Sequence, residues 1–184
     1  MKKAPNRPSF IGNYKDLMDE DNAAYPGSSE LLSIGSPVGK LLGLQKIGIH
    51  IETIPPGRRT SWPHAESTEE EFAYVIKGHP HVWVDGHLHE LSAGDFVAFP
   101  AGTGIAHTFI NNSDEDCVLL VGGERTKEEN KISTRPEPAP SKPVALSRKR
   151  QSAALIKPIF PATSIPGPVF PANRQAVNCM RLAP

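Results

Sequence analysis

Between Gly57 and Asn111 the chain carries two blocks of histidine and carboxylate, each framed by glycines, on either side of a hairpin. The first runs from Gly57 through Trp62, His64, Glu66 and Glu71 to Gly78. The second runs from Gly94 through Pro100, Gly102 and His107 to Asn111. Potential ligands so far apart in sequence meet only if the strands carrying them curl towards a common interior, and a closed barrel does that.

The strands are legible from alternation and turn chemistry. Ile47, Ile49 and Ile51 alternate with Gly48, His50 and Glu52, a half-buried strand by its period of two, and Pro55-Pro56-Gly57 stops it. His50 falls opposite the isoleucines, as a surface or lumen histidine. Residues 71–77 follow, with Phe72, Tyr74 and Ile76 on one face and Gly78 at the end. His81–Val84 and His87–Leu91 form a hairpin around Asp85-Gly86, a two-residue turn signal. Phe96–Phe99, His107–Ile110 and Cys117–Val121 complete the set. Many short strands at near-even spacing predict an all-β barrel or sandwich.

The ends read differently. Residues 1–40 are punctuated by Pro and Gly without a sustained period, read either as an irregular arm lying along the barrel or a partner subunit or as a partly disordered terminus. Residues 41–125 hold the barrel. Residues 126–184 form a Pro-rich basic tail, expected to be disordered from about residue 131. The chain has 184 residues, 20 basic and 20 acidic, a balance that argues against a polyanionic partner such as nucleic acid. Two cysteines make no disulfide framework and fit a reducing compartment. No secretory leader or membrane-length apolar run is evident, so a cytoplasmic protein is expected.

His64 and Glu66 are two apart and share a face of an extended chain. Glu71 comes from the next strand and His107 from a later one, with Asn111 four further on. Two imidazoles with one or two carboxylates suit a divalent ion such as Zn, Mn or Fe. Trp62, two before His64, is a candidate for the pocket rim, and Arg58 and Arg59 are candidates to bind an acidic substrate at its edge. His79, His81, His87 and His89 cluster at the hairpin and read as surface histidines.

Together the two blocks resemble the paired motifs of the cupin superfamily over about residues 40–125. Gly57, His64, Glu66, Glu71 and Gly78 fall on the first motif, and Gly94, Pro100, Gly102, His107 and Asn111 on the second. The resemblance implies a double-stranded β-helix of jelly-roll type, with His64, Glu71 and His107 as metal ligands and Glu66 as a fourth. Two departures stand out. Glu66 replaces the family's second histidine, and four residues, Thr103 to Ala106, separate Gly102 from His107 where the family has two.

The expected function is a metal-dependent enzyme, an oxygenase or isomerase acting on a small sugar or carboxylate. Glu66 and Glu71 are its catalytic carboxylates, and Trp62, Arg59 and Asn111 line its substrate pocket. The alternative is a non-catalytic module that binds or senses a small ligand; a storage barrel is a third reading. Open sheet edges and the N-terminal arm lead to the expectation of a homodimer.

Overall fold

The computed structural model describes residues 6–125 and 129–134. Among the described residues ten strands run in chain order: β1 (Ile34–Ser36), β2 (Ile47–Ile54), β3 (His64–Glu66), β4 (Glu71–Lys77), β5 (His81–Val84), β6 (His87–Glu90), β7 (Phe96–Phe99), β8 (His107–Ile110), β9 (Cys117–Glu124) and β10 (Ile132–Thr134). They form two antiparallel five-stranded sheets, ordered β1-β2-β9-β4-β7 and β10-β3-β8-β5-β6. The fold is the all-β barrel expected from the alternation, of the jelly-roll type that the resemblance implies.

Turn chemistry sets the connections. Asp85 and Gly86 both take positive φ, 44° and 93°, the conformation that two-residue hairpin turns require, so β5 and β6 pair in register from Val84–His87 to His81–Glu90. Gly78 leaves β4 at φ 88°, and a Cβ there would sit 2.7 Å from Cys117 Sγ. Only glycine satisfies both conditions.

The register decides which face is inside. Cys117, Leu119 and Val121 of β9 pack with Ile54, Ala73, Val75, Val82 and Phe109 in one buried cluster. Burying a side chain of this size contributes about 1.5–3 kcal/mol. β2 pairs with β9 so that Ile54 lies opposite Cys117, Glu52 opposite Leu119 and His50 opposite Val121. His50 and Glu52 therefore face the lumen, and Ile47, Ile49 and Ile51 face outward. Likewise Ala73 and Val75 point in, while Phe72, Tyr74 and Ile76 point out.

The arm lies along its own barrel. Strand β1 pairs with β2, and a one-turn helix at Val38–Leu41 packs beside it. Leu32 and Ser33 are buried, and Tyr25 stacks on Trp62 with ring centroids 4.1 Å apart. At the other end, Ile132–Thr134 form β10 against β3, so regular structure extends past the point where the sequence reading starts the tail. The remainder of that expected tail, residues 135–184, lies outside the described residues.

Candidate metal centre

Strands β3, β4 and β8 bring three candidate ligands to one point. His64 opens β3 and pairs directly with His107, which opens β8. Glu71 opens β4 in the facing sheet. One ligand atom from each of His64, Glu71 and His107 lies within 4.8 Å of the others. Glu71 Oε2 is 3.6 Å from His64 Nε2 and 3.4 Å from His107 Nε2. A cation with bonds of ~2.1 Å needs donors ~3.0–3.4 Å apart, so this triangle is close to the size an ion requires. His64 Nε2 and Glu71 Oε2 are buried without a hydrogen-bond partner, a donor pair that fits a cation.

The surrounding residues fix the rings. His64 Nδ1 lies 3.1 Å from Trp62 O and 3.2 Å from Ser61 Oγ. Donation from Nδ1 to the Trp62 carbonyl turns Nε2 inward as the ligand nitrogen. His107 is stacked face to face on Phe99, with centroids 3.4 Å apart and planes 7° apart. Burial opposes charge on Glu71, but the two imidazoles outweigh it and hold the carboxyl below its ordinary range. Burial also disfavours a charged His64, yet Glu71 prevails and raises that imidazole. At His107 burial wins, and the ring is lowered.

The remaining sequence candidates have other partners. Glu66 stands outside the three-ligand group, with Oε2 accepting a hydrogen bond of 2.5 Å from Asn130 Nδ2. Burial, then the charge of Glu71, pushes the Glu66 carboxyl up to about 7. Arg59 is buried and pairs with Glu30 of the arm at 2.6 Å. Arg58 forks onto Asp21 and also donates to Leu32 O. Trp62 lies under Tyr25, whose hydroxyl accepts from the Trp62 backbone N–H. Asn111 is fully buried: its Nδ2 donates to Ile54 O and Glu115 O, and its Oδ1 accepts from Ser113 N and Oγ. Arg59, Trp62 and Asn111 thus hold the arm and the β8–β9 loop in place. The lengthened Thr103–Ala106 loop is pinned at its start, where Gly102 N donates to Glu66 O.

Asn130 is the residue the sequence reading missed. It arrives from beyond the barrel strands, and its Oδ1 accepts from the backbone N–H groups and hydroxyls of Ser67 and Thr68. A lone Asn in a charged stretch offers no signal; only the β3–β10 pairing brings it to Glu66.

Residues 50–123 match the model of the cupin domain. With the two-sheet barrel and the His64–Glu71–His107 group, this makes residues 50–123 a cupin domain. A sugar phosphate isomerase of the cupin superfamily from Silicibacter pomeroyi is 28% identical over 57% of this chain, with a TM-score of 0.54. The match spans 66% of that protein, just under two thirds of its length. A putative sugar phosphate isomerase from Acidithiobacillus ferrooxidans is 23% identical over 68% of this chain and 81% of its own, at TM-score 0.56. The polyketide cyclase RemF from Streptomyces resistomycificus is 17% identical over 70% of this chain and 87% of its own, also at 0.56. The last two show likeness of fold alone. No curated protein matches the chain.

Proposed function

We propose that this protein is a metal-dependent cupin enzyme acting on a small oxygenated molecule, a sugar or carboxylate, by isomerase-type chemistry. The carrying observation is the buried His64–Glu71–His107 triangle, in which His64 Nε2 and Glu71 Oε2 have no hydrogen-bond partner. The Silicibacter isomerase favours the isomerase over the oxygenase form of this reading. A divalent ion, Zn, Mn or Fe, would be held by these three side chains and would polarise a substrate carbonyl or hydroxyl. Glu71 supplies the negative charge that makes the site a cation site. Glu66 is the proton carrier: Asn130 holds Oε2, and Oε1 exchanges a proton with the substrate. Small molecules are the proposed partners, in a cytoplasmic setting in which Cys117 stays a free, buried thiol. The working form is proposed to be a homodimer. Among the described residues no helix is long and apolar enough to cross a membrane.

Metal analysis of untagged protein tests this reading. Near-stoichiometric divalent metal is expected in the wild type and its loss in His107→Ala. Isomerase screens with added Mn, Fe(II) and Zn are expected to show turnover that Glu66→Gln lowers by about 100-fold with metal content retained. Equal metal in wild type and His107→Ala would remove the ligand assignment. Full metal without turnover on any sugar or carboxylate would leave the non-catalytic ligand-binding module as the better reading.

A further inference from the structure

The two imidazoles of the candidate metal centre are held by different physics. His64 is fixed through its Nδ1, which lies 3.1 Å from Trp62 O and 3.2 Å from Ser61 Oγ. His107 has no such tether: its Nδ1 is buried without a hydrogen-bond partner. The Ile105 carbonyl lies near that ring but closes no hydrogen bond to it. What His107 has instead is Phe99. This side chain comes from β7 in the facing sheet, where it pairs directly across from Glu71. Its ring covers His107 with centroids 3.4 Å apart and planes 7° apart. It also meets Phe109, two residues on from His107, at 6.0 Å and 74°. Phe109 is 1% exposed, so Phe99 is itself wedged against the fixed core. Glu71 thus faces His107 at Nε2, 3.4 Å away, while its cross-strand neighbour closes one face of the same ring.

The stack has a preferred electronic state. Carbon atoms pack at about 3.5–4.0 Å, so a centroid separation of 3.4 Å leaves no room for a sideways offset between the rings. Two neutral rings avoid so direct an overlap, because their negative faces repel. A cation bound to the imidazole draws electrons out of it, and the phenyl face then attracts the ring. We propose that Phe99 is a positioning residue of the metal centre: a flat wall that sets the tilt of His107 and favours that ring when a cation draws on it. The inference rests on the metal-centre reading above and adds a residue to it. The torsion that turns an imidazole about its Cβ–Cγ bond is broad, so a ring unbonded at Nδ1 swings freely unless something blocks its face. Phe99 blocks it and keeps Nε2 directed at Glu71 Oε2. Metal-ligating histidines are ordinarily oriented by a hydrogen bond from the second ring nitrogen; at His107 an aromatic face takes that place.

Titration of the untagged full chain with Co(II) after chelator treatment tests this, read both as a dissociation constant and as the visible absorption spectrum of the bound ion. Phe99→Leu keeps an apolar side chain and removes the aromatic face. It should weaken binding by about 10- to 100-fold, the range for lost support of a metal-ligating histidine, and should alter the spectrum. Phe99→Tyr keeps the face and should restore affinity to within about threefold of wild type, with the wild-type spectrum. Phe99→Ile, β-branched as a strand prefers, repeats the test should the leucine variant lose its fold. Val97→Ala controls for packing, since Val97 lies on the same face of β7 against the buried cluster. It should lower stability in urea and leave affinity and spectrum unchanged. Wild-type affinity and spectrum in Phe99→Leu would overturn the role of Phe99 and leave the metal centre standing. Equal weakening in Val97→Ala would reduce Phe99 to core packing and overturn it as well. A wild type that binds no Co(II) would remove the metal centre itself, and this inference with it.

Discussion

Glu52 offers the sharpest test of the register that turns β2 inside out. Its carboxyl is 1% exposed, accepts a 2.7 Å hydrogen bond from Ser33 Oγ and lies 3.7 Å from His50 Nδ1. Burial pushes it up from 4.5 to about 8, against the Ser33 hydrogen bond. The same burial, with Arg125 and Lys40 nearby, pushes His50 down to about 4, so at neutral pH the pair is mainly uncharged rather than an ion pair. The folded state keeps the Glu52 proton after the unfolded chain has lost it. Glu52 therefore contributes stability that is fully present below pH 4.5 and is lost as pH rises towards about 8. His50 has the opposite slope, confined between about pH 4 and 6.5, so the window above 6.5 isolates Glu52 from it. At about 1.4 kcal/mol per pH unit, the wild type should lose up to about 2 kcal/mol between pH 6.5 and 8 on account of this residue. Glu52→Gln keeps an acceptor for Ser33 and removes the titration. Urea unfolding of both proteins in chelator should give profiles that diverge across this window, with the variant gaining on the wild type. Subtraction cancels the slopes of His64 and Glu66, which are also raised but common to both proteins. Profiles that stay parallel would place the carboxylate in water and refute the inward register of β2.

Three further outcomes follow from other positions. Asn111→Ala removes all four hydrogen bonds of a fully buried amide and orphans the Ile54 carbonyl, so it should cost about 3 kcal/mol, measured as a drop of about 10 °C in melting temperature. Gly78→Ala places a Cβ at positive φ against Cys117 Sγ and should cost about 2–3 kcal/mol in urea unfolding; Cys117→Ala in the same chain should relieve the contact but not the backbone strain. Asn130→Ala frees Glu66 and the Ser67–Thr68 turn together. Hydrogen exchange at the Ser67 and Thr68 amides should accelerate by about tenfold or more, with the β4–β9 amides unchanged.

Much of the barrel was legible because its signals are local. Asp85-Gly86, Gly78 and the alternation in residues 71–77 each report on a few neighbouring residues, and each sits in the fold as its chemistry requires. The spacing of His64, Glu71 and His107 carried the site for a related reason: each ligand opens a strand, and barrel closure sets those strand ends together. What stayed hidden depends on partners distant in sequence. Arg59 looks like an anion receptor until Glu30, 29 residues earlier, is seen to occupy it. Nothing local in the sequence shows that Asn130, 64 residues after Glu66, donates to one of its carboxylate oxygens. Asn111 looks like a pocket residue because its position in the motif says nothing of the four groups its amide satisfies.

Periodicity could not tell which face of β2 and β4 points inward, because a period of two is the same from either side; β4 is apolar on both faces, and β2 turns its polar His50 and Glu52, not its isoleucines at 47, 49 and 51, to the lumen. The pairing settles it, and the result explains how a lumen lined by valine and leucine makes room for a charged site. Gly48, Gly123, Glu71 and Phe99 share one row of the first sheet. A Cβ on Gly123 would meet Glu70 O at 2.7 Å and Glu71 Cγ at 3.3 Å. Glycine beside Glu71 therefore leaves that carboxylate free to take its place opposite the two imidazoles. In the next row His50, Val121 and Ala73 fill the lumen, and beyond them lie Glu52, Leu119 and Val75. The His64–Glu71–His107 group sits at the glycine row, where no side chain from Gly48 or Gly123 enters the lumen, while the rows behind it are packed. A side chain moved from the Glu71 position one row along the same strands would meet Val121 and Ala73 instead, so the glycines shape this end of the lumen as much as the histidines do.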